Sequence, residues 1–155
     1  MGFSVSGATV VLFLGIVISF GIAHAAVNNG VEAVNDAYQD STDKELSRQN
    51  TGITIGSAVA NTASDTLNVS VENTGSSTLS ITDTDILING TYTSHDSMET
   101  LEVDGNDTTG LWLPGETLYF VYDYGSDSDF TNAPTRVKVV TDSGVSAAAE
   151  VEEVS

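Results

Sequence analysis

His24 and His95 are the only side chains in this 155-residue chain whose ordinary pKa suits proton transfer near neutral pH. His95 stands in Ser94-His95-Asp96-Ser97, residue types that build a hydrolase triad when they converge from separate elements. Four consecutive residues do not converge in that way, and the stretch reads as a surface hairpin loop. His24 closes an apolar run and reads as an interfacial residue at the polar end of a membrane span. The chain has no cysteine, which removes disulfides, thiolate metal sites and cysteine nucleophiles. Asp104, Asn106 and Asp107 offer hard oxygen ligands, as do Asp127 and Asp129. Neither group has the Asp-x-Asp/Asn-x-Asp/Asn-Gly spacing and later Glu of an EF-hand calcium loop. With 22 acidic residues, carboxylate clusters arise from composition alone. The sequence predicts no enzyme, no metal site and no cofactor.

Covalent modification is the remaining chemistry. Three N-glycosylation sequons occur: Asn68-Val69-Ser70, Asn89-Gly90-Thr91 and Asn106-Asp107-Thr108. Asn89 and Asn106 fall in expected turns, where a glycan fits. Asn68 falls mid-strand on an outer face and is the poorer acceptor. An occupied sequon would place this part of the chain outside the cell.

The element that positions everything else is the first stretch. No Lys, Arg, Asp or Glu precedes Glu32. Phe3 to Ala26 is nearly all apolar or small, and spanning a bilayer core takes roughly 20 such residues in a helix. A cleaved signal peptide is one reading, because Ala23-His24-Ala25 has the A-x-A form. The uncharged start and the long apolar run oppose it. Met1-Gly2 with Ser6 matches a myristoylation signal, which the composition makes a chance match. The preferred reading is a retained transmembrane helix over residues 1–27. Gly15, Ser19 and Ala23 share one face of it, and small residues there let another helix approach closely. Lys44 and Arg48 follow the span and argue mildly for a cytoplasmic C-terminal part.

Net charge is −18, with only Lys44, Arg48, Arg136 and Lys138 basic. Such a surface repels nucleic acid and anionic lipid headgroups. In 1 M salt the Debye length falls to about 3 Å, so self-repulsion is screened and a carboxylate-rich surface becomes tolerable. Abundant Asp, Thr and Ser with little Lys fit a halophile.

Residues 28–50 read as an acidic amphipathic stalk. Asn28-Asn29-Gly30 is expected to loosen the helix. Val27, Val31, Val34 and Tyr38 then recur at helical spacing. The helix is expected to end near Leu46 or Arg48.

From residue 51 the period becomes two. Ile53, Ile55 and Val59 begin it, and Leu67, Val69 and Val71 alternate with Asn68, Ser70 and Glu72. Leu79, Ile81, Ile86 and Ile88 follow. Asn89-Gly90 signals a hairpin with Tyr92 on the return strand. Met98, Leu101 and Val103 mark a further strand. Leu118, Phe120 and Tyr122 alternate with Tyr119, Val121 and Asp123, and Val137 and Val139 oppose Arg136 and Lys138. A weaker strand covers residues 145–151. Seven or eight short strands predict an antiparallel immunoglobulin-like β-sandwich over residues 51–155.

The stretches MGFSVSGATVVLFLGIVISFGIAHAA, NGVEAVNDAYQD, LNVSVENTGSSTLSITDTDILINGTY, LWLPGETLYF and PTRVKVVTDSGVSAAAEV together resemble the haloarchaeal archaellum F protein family. These are archaellin-related accessory proteins of the archaeal swimming filament. The resemblance covers nearly the whole chain, and its N-terminal stretch is the most specific. It implies a single-pass protein of the cell membrane with its β domain outside. That domain would contact the S-layer protein and the companion archaellum G protein, as a stator around the rotating filament. Membrane lipid, a second copy of the chain and the archaellin filament are the other partners it implies. Archaellins carry a short basic leader before the apolar helix, whereas here Met1-Gly2 stands in that place, which favours an anchor over a filament subunit. An archaellin- or pilin-like subunit and a generic membrane-tethered adhesion module are the alternatives.

Overall fold

The computed structural model describes residues 3–127, 130 and 132–155, without the side chains of 3–6, 25 and 26. The myristoylation match at Met1-Gly2 and the ligand candidate Asp129 lie outside the described residues. The chain divides into two compact units, Met1–Asp43 and Lys44–Ser155.

Helix α1 runs from Phe3 to Asn50, 48 residues without a break. At 1.5 Å per residue it is about 72 Å long. It passes straight through Asn28-Asn29-Gly30, where the sequence led us to expect a loosening. One glycine costs a helix only about 1 kcal/mol against alanine, too little to break a ladder that continues on both sides. Asn28 also finds a partner within the helix, its Nδ2 lying 3.3 Å from His24 Nδ1. Val10 to Ile22 expose their apolar side chains, as do Val27, Val31, Val34 and Tyr38 further along. A helix that is apolar all round is suited to lipid, so its first part is a candidate membrane anchor.

Eleven strands follow: β1 (Ile53–Asn61), β2 (Thr66–Asn73), β3 (Leu79–Ser80), β4 (Asp85–Ile88), β5 (Thr91–Thr93), β6 (Met98–Val103), β7 (Leu111–Trp112), β8 (Thr117–Asp123), β9 (Arg136–Val140), β10 (Ser146–Glu150) and β11 (Glu152–Val154). One sheet has the order β11-β1-β2-β8-β6 and a second the order β10-β9-β4-β5, with β3 and β7 pairing separately. Every pairing is antiparallel except β1 with β11. Leu67, Val69, Val71, Leu118 and Phe120 from the first sheet share one core with Ile86, Ile88, Val137 and Val139 from the second. The domain is therefore a β-sandwich. Trp112 and Leu79 from the small β3–β7 pair add to the same core. Each such side chain, fully buried, contributes roughly 1.5–3 kcal/mol.

Two irregularities separate the strands from strict alternation. A bulge between Ile55 and Ser57 shifts the register of β1, so that Ala58 and Ala60 turn inward in place of Val59. Gly56 sits at the bulge, where an added Cβ would meet Ser70 Oγ at 3.2 Å. A second bulge between Met98 and Thr100 accounts for the uneven spacing of Met98, Leu101 and Val103. The expected hairpin at Asn89-Gly90 has φ of 51° and 87° at its two residues, the left-handed pair that a tight two-residue turn requires. The terminal strand does not stop at Val151. The chain pairs with β9 as β10, then continues as β11 beside β1 in the other sheet.

Candidate functional site

The residues with chemical potential are spread over separate parts of the molecule. His95 is half-buried in a single 3-10 turn, His95–Ser97. Its Nε2–H donates to the Thr84 carbonyl at 2.8 Å, which commits that nitrogen as a donor. The Ser94 hydroxyl oxygen accepts from the Asp96 backbone N–H at 3.4 Å, and the Ser97 hydroxyl donates to the Ser94 carbonyl at 2.6 Å. These bonds close a turn; they do not present a hydroxyl to an imidazole. His24 is exposed on α1 beside Asn28.

The acidic ligand candidates also serve turns. Asp104 accepts the Thr117 backbone N–H at 3.1 Å and, with φ of 47°, forms the tight turn with Gly105. Asp127 accepts the Tyr122 hydroxyl. Among the described residues no group of three His, Cys, Asp or Glu side chains gathers to hold a metal ion. No buried side-chain nitrogen or oxygen among them lacks a partner, so the interior holds no polar group awaiting a ligand.

The three sequons have distinct settings. Asn68 is half-buried on β2 and accepts the Tyr119 hydroxyl at 3.1 Å. Asn89 is exposed, but its Oδ1 accepts from Thr135 N at 2.9 Å, Thr135 Oγ1 at 3.2 Å and Arg136 N at 3.1 Å. Asn106 is exposed in the loop after β6, and its Oδ1 accepts from Thr108 N at 2.9 Å and Thr108 Oγ1 at 2.8 Å. On α1, Gly15, Ser19 and Ala23 are all exposed. The Ser19 hydroxyl donates to the Gly15 carbonyl at 2.8 Å, so this face carries no unmet donor.

A denser constellation lies where Lys44–Asn50, the last turns of α1, meet the loop after β2. Asn73, fully buried, is its centre. Its Nδ2 donates to the Ser77 carbonyl at 2.9 Å and the Trp112 carbonyl at 3.1 Å, while Oδ1 accepts from Gly75 N at 3.1 Å. Its backbone N–H donates to Glu116 O at 3.0 Å, and its carbonyl accepts from Gly115 N at 2.8 Å. Trp112 Nε1 also donates to Glu116 O, at 2.8 Å. The stretches Val71-Glu72-Asn73-Thr74-Gly75 and Leu113-Pro114-Gly115-Glu116-Thr117 thus form one buried polar knot.

That knot grips the helix end. The Asn50 carbonyl accepts from Ser76 N at 2.8 Å and Ser77 N at 3.2 Å. The Gly52 carbonyl accepts from Thr74 N at 2.9 Å and Gly75 N at 3.0 Å. Carbonyls at a helix C-terminus have no partner in the helix, and here loop N–H groups supply one. Gly75 is required by closeness: a Cβ there would lie 2.5 Å from both Asn50 O and Gly52 N. In sequence, Asn73-Thr74-Gly75-Ser76 has the composition of a turn and shows nothing of these contacts. The Asn-x-Gly spacing directly after an alternating strand was the available signal.

Electrostatics add two perturbed groups. The Ser126 hydroxyl, bonded to Asp123 Oδ2 at 2.7 Å, holds the Asp123 carboxyl below its ordinary value despite the opposing pull of desolvation. Backbone N–H groups of Ser126 and Gly125 act in the same direction. Burial pushes the Tyr124 hydroxyl up, assisted by the charges of Asp65 and Glu153. Arg136 and Lys138, the only basic residues after Arg48, lie side by side on the outer face of β9.

No family model matches the chain, and no curated protein matches it. Among solved structures, it is similar to the archaellum periplasmic stator protein FlaG from Sulfolobus acidocaldarius, with 20% identity and a TM-score of 0.41 over 64% of this chain and 98% of that one. It is also similar to the archaellum periplasmic stator protein complex FlaF and FlaG from the same organism, with 18% identity and a TM-score of 0.41, over 63% of this chain and 86% of that one. An exo-β-N-acetylglucosaminidase from Vibrio harveyi covers 68% of this chain with 18% of its own length, with 12% identity and a TM-score of 0.23.

Proposed function

We propose that this chain is a non-enzymatic, membrane-anchored component of an archaellum motility machine. Its apolar helix holds it in the cell membrane, residues 28–50 act as a spacer, and the β-sandwich lies outside as a static element. S-layer protein and a companion G protein are its partners in this reading. The observation that carries it is the uninterrupted 48-residue helix, charge-free and exposed through its first part, whose last carbonyl is hydrogen-bonded into a closed sandwich. A static element needs an anchor, a spacer and a firmly attached head, and these are the parts present. The sequence resemblance described above supports the same role, and so do the satisfied turns around His95 and Asp104, which serve structure. The small-residue face Gly15, Ser19 and Ala23 would seat a neighbouring helix within the membrane.

Deleting the gene, followed by a swimming assay and filament microscopy, tests this. Filaments that assemble but drive poor swimming are the expected result. Unimpaired swimming refutes the role. Missing filaments point to the second reading, a filament subunit, in which the same exposed apolar helix packs in a filament core. Sequencing the mature N-terminus separates the two, because a subunit begins near Phe3 and a retained anchor does not.

A further inference from the structure

We propose that Asn106 is the N-glycosylated residue among the three sequons, and that the sugar comes from a lipid-phosphate-linked oligosaccharide. This rests on the β domain lying outside the membrane. The transfer forms a bond from Asn106 Nδ2 to the anomeric carbon of the donor sugar. It breaks the bond between that carbon and the phosphate oxygen, so the lipid phosphate leaves. One Nδ2 proton passes to a base of the transferase, and nothing is oxidised or reduced.

The acceptor must offer its carboxamide nitrogen and its +2 hydroxyl together, without dismantling the sheet. Asn106 does so. Asn106, Asp107 and Thr108 are all exposed, in the loop that joins β6 to β7. Thr108 curls back to place both its N–H and its hydroxyl on Asn106 Oδ1, at 2.9 and 2.8 Å. Asn106 Nδ2 donates to no protein group among the described residues.

Neither other sequon meets the condition. Asn68 lies on β2, paired on both sides by β1 and β8, with Val69 fully buried between it and Ser70. The Ser70 hydroxyl is bonded to the Ser57 hydroxyl at 2.8 Å, away from Asn68. Presenting that sequon would unzip the centre of a sheet. Asn89 stands at the turn of the β4–β5 hairpin, and its +2 residue Thr91 is a strand residue paired with Ile88, whereas Thr108 lies in no strand. Presenting its +2 hydroxyl in an extended chain would open that hairpin.

The test uses full-length protein purified from native membranes, with intact mass and glycopeptide mass spectrometry. Alongside, protease is added to intact cells to report whether the β domain is outside. The expected result is a glycan at Asn106 that is lost in Asn106→Gln, lost in Thr108→Ala, restored in Thr108→Ser, and retained in Asn68→Gln and Asn89→Gln. A protease-accessible domain with an unmodified Asn106, or with its glycan at Asn68 or Asn89, overturns the assignment and leaves the location standing. A protected domain with an unmodified mass overturns the location, and the assignment with it.

Discussion

Asn73 shows how one side chain can hold several loops. All three of its side-chain hydrogen bonds end on backbone groups, from Gly75, Ser77 and Trp112. Replacing it with alanine takes the side-chain donor from the Ser77 and Trp112 carbonyls, while the Gly75 N–H keeps its bond to the Gly52 carbonyl. At about 1–3 kcal/mol for each stranded group, partly relieved by relaxation, we expect Asn73→Ala to lose about 3 kcal/mol. Denaturant titration of the full chain in molar salt checks this. Gly75→Ala is expected to cost at least as much, because the contacts it would violate are backbone atoms with little room to move. A loss under 1 kcal/mol in both variants would mean that the knot is incidental. Tyr124 gives a prediction in pH. Its folded-state pKa is raised, so the folded chain holds the hydroxyl proton more tightly than the unfolded chain does. The resulting stability is fully present below the ordinary tyrosine value of about 10 and is lost as pH rises through the higher folded value. Stability of the native protein should therefore fall above pH ~10, and Tyr124→Phe should flatten that fall.

Among the elements, those with plain alternation were legible in the sequence. Leu67-Val69-Val71 and Leu118-Phe120-Tyr122 lie on the inner face as their spacing predicts. So does the hairpin at Asn89-Gly90, because few dipeptides tolerate two left-handed residues. The bulges at Gly56 and Glu99 were not legible. A bulge moves the inward face by one residue, and only the partner strand reveals where that happens. The strand β11 was hidden for a different reason: Glu152, Glu153 and Val154 are all exposed and show no alternation. Its place is set by tertiary pairing with β1. The polar knot was invisible because its two halves, around Asn73 and Trp112, are 39 residues apart. β11 also has a protective consequence. It covers one edge of β1 with a short, doubly charged strand, the kind of edge that discourages further pairing. Replacing Glu152 and Glu153 together with valine is expected to drive self-association, read as a shift to larger species in size-exclusion chromatography. An unchanged elution volume would mean that charge on this strand has no such role.

At the scale of the whole molecule, charge dominates. With −18 on 155 residues, the folded chain repels itself in dilute salt. We expect its circular dichroism to lose strand signal on transfer from molar to millimolar NaCl, with recovery when salt is restored. A spectrum constant over that range would remove the argument for adaptation to high salt. The arrangement of β1 and β11 has a practical corollary. The two run parallel, with Asn61 beside Val154, so the chain leaves the sandwich at the far end of β1 from its junction with the helix. The nine residues of β1 set that separation at about 27 Å. Whatever follows Val154 therefore departs from the pole remote from Asn50. A fluorescent or affinity tag fused there would act as a plug on that pole, and graded tag sizes would gauge how much clearance the pole has in the living cell.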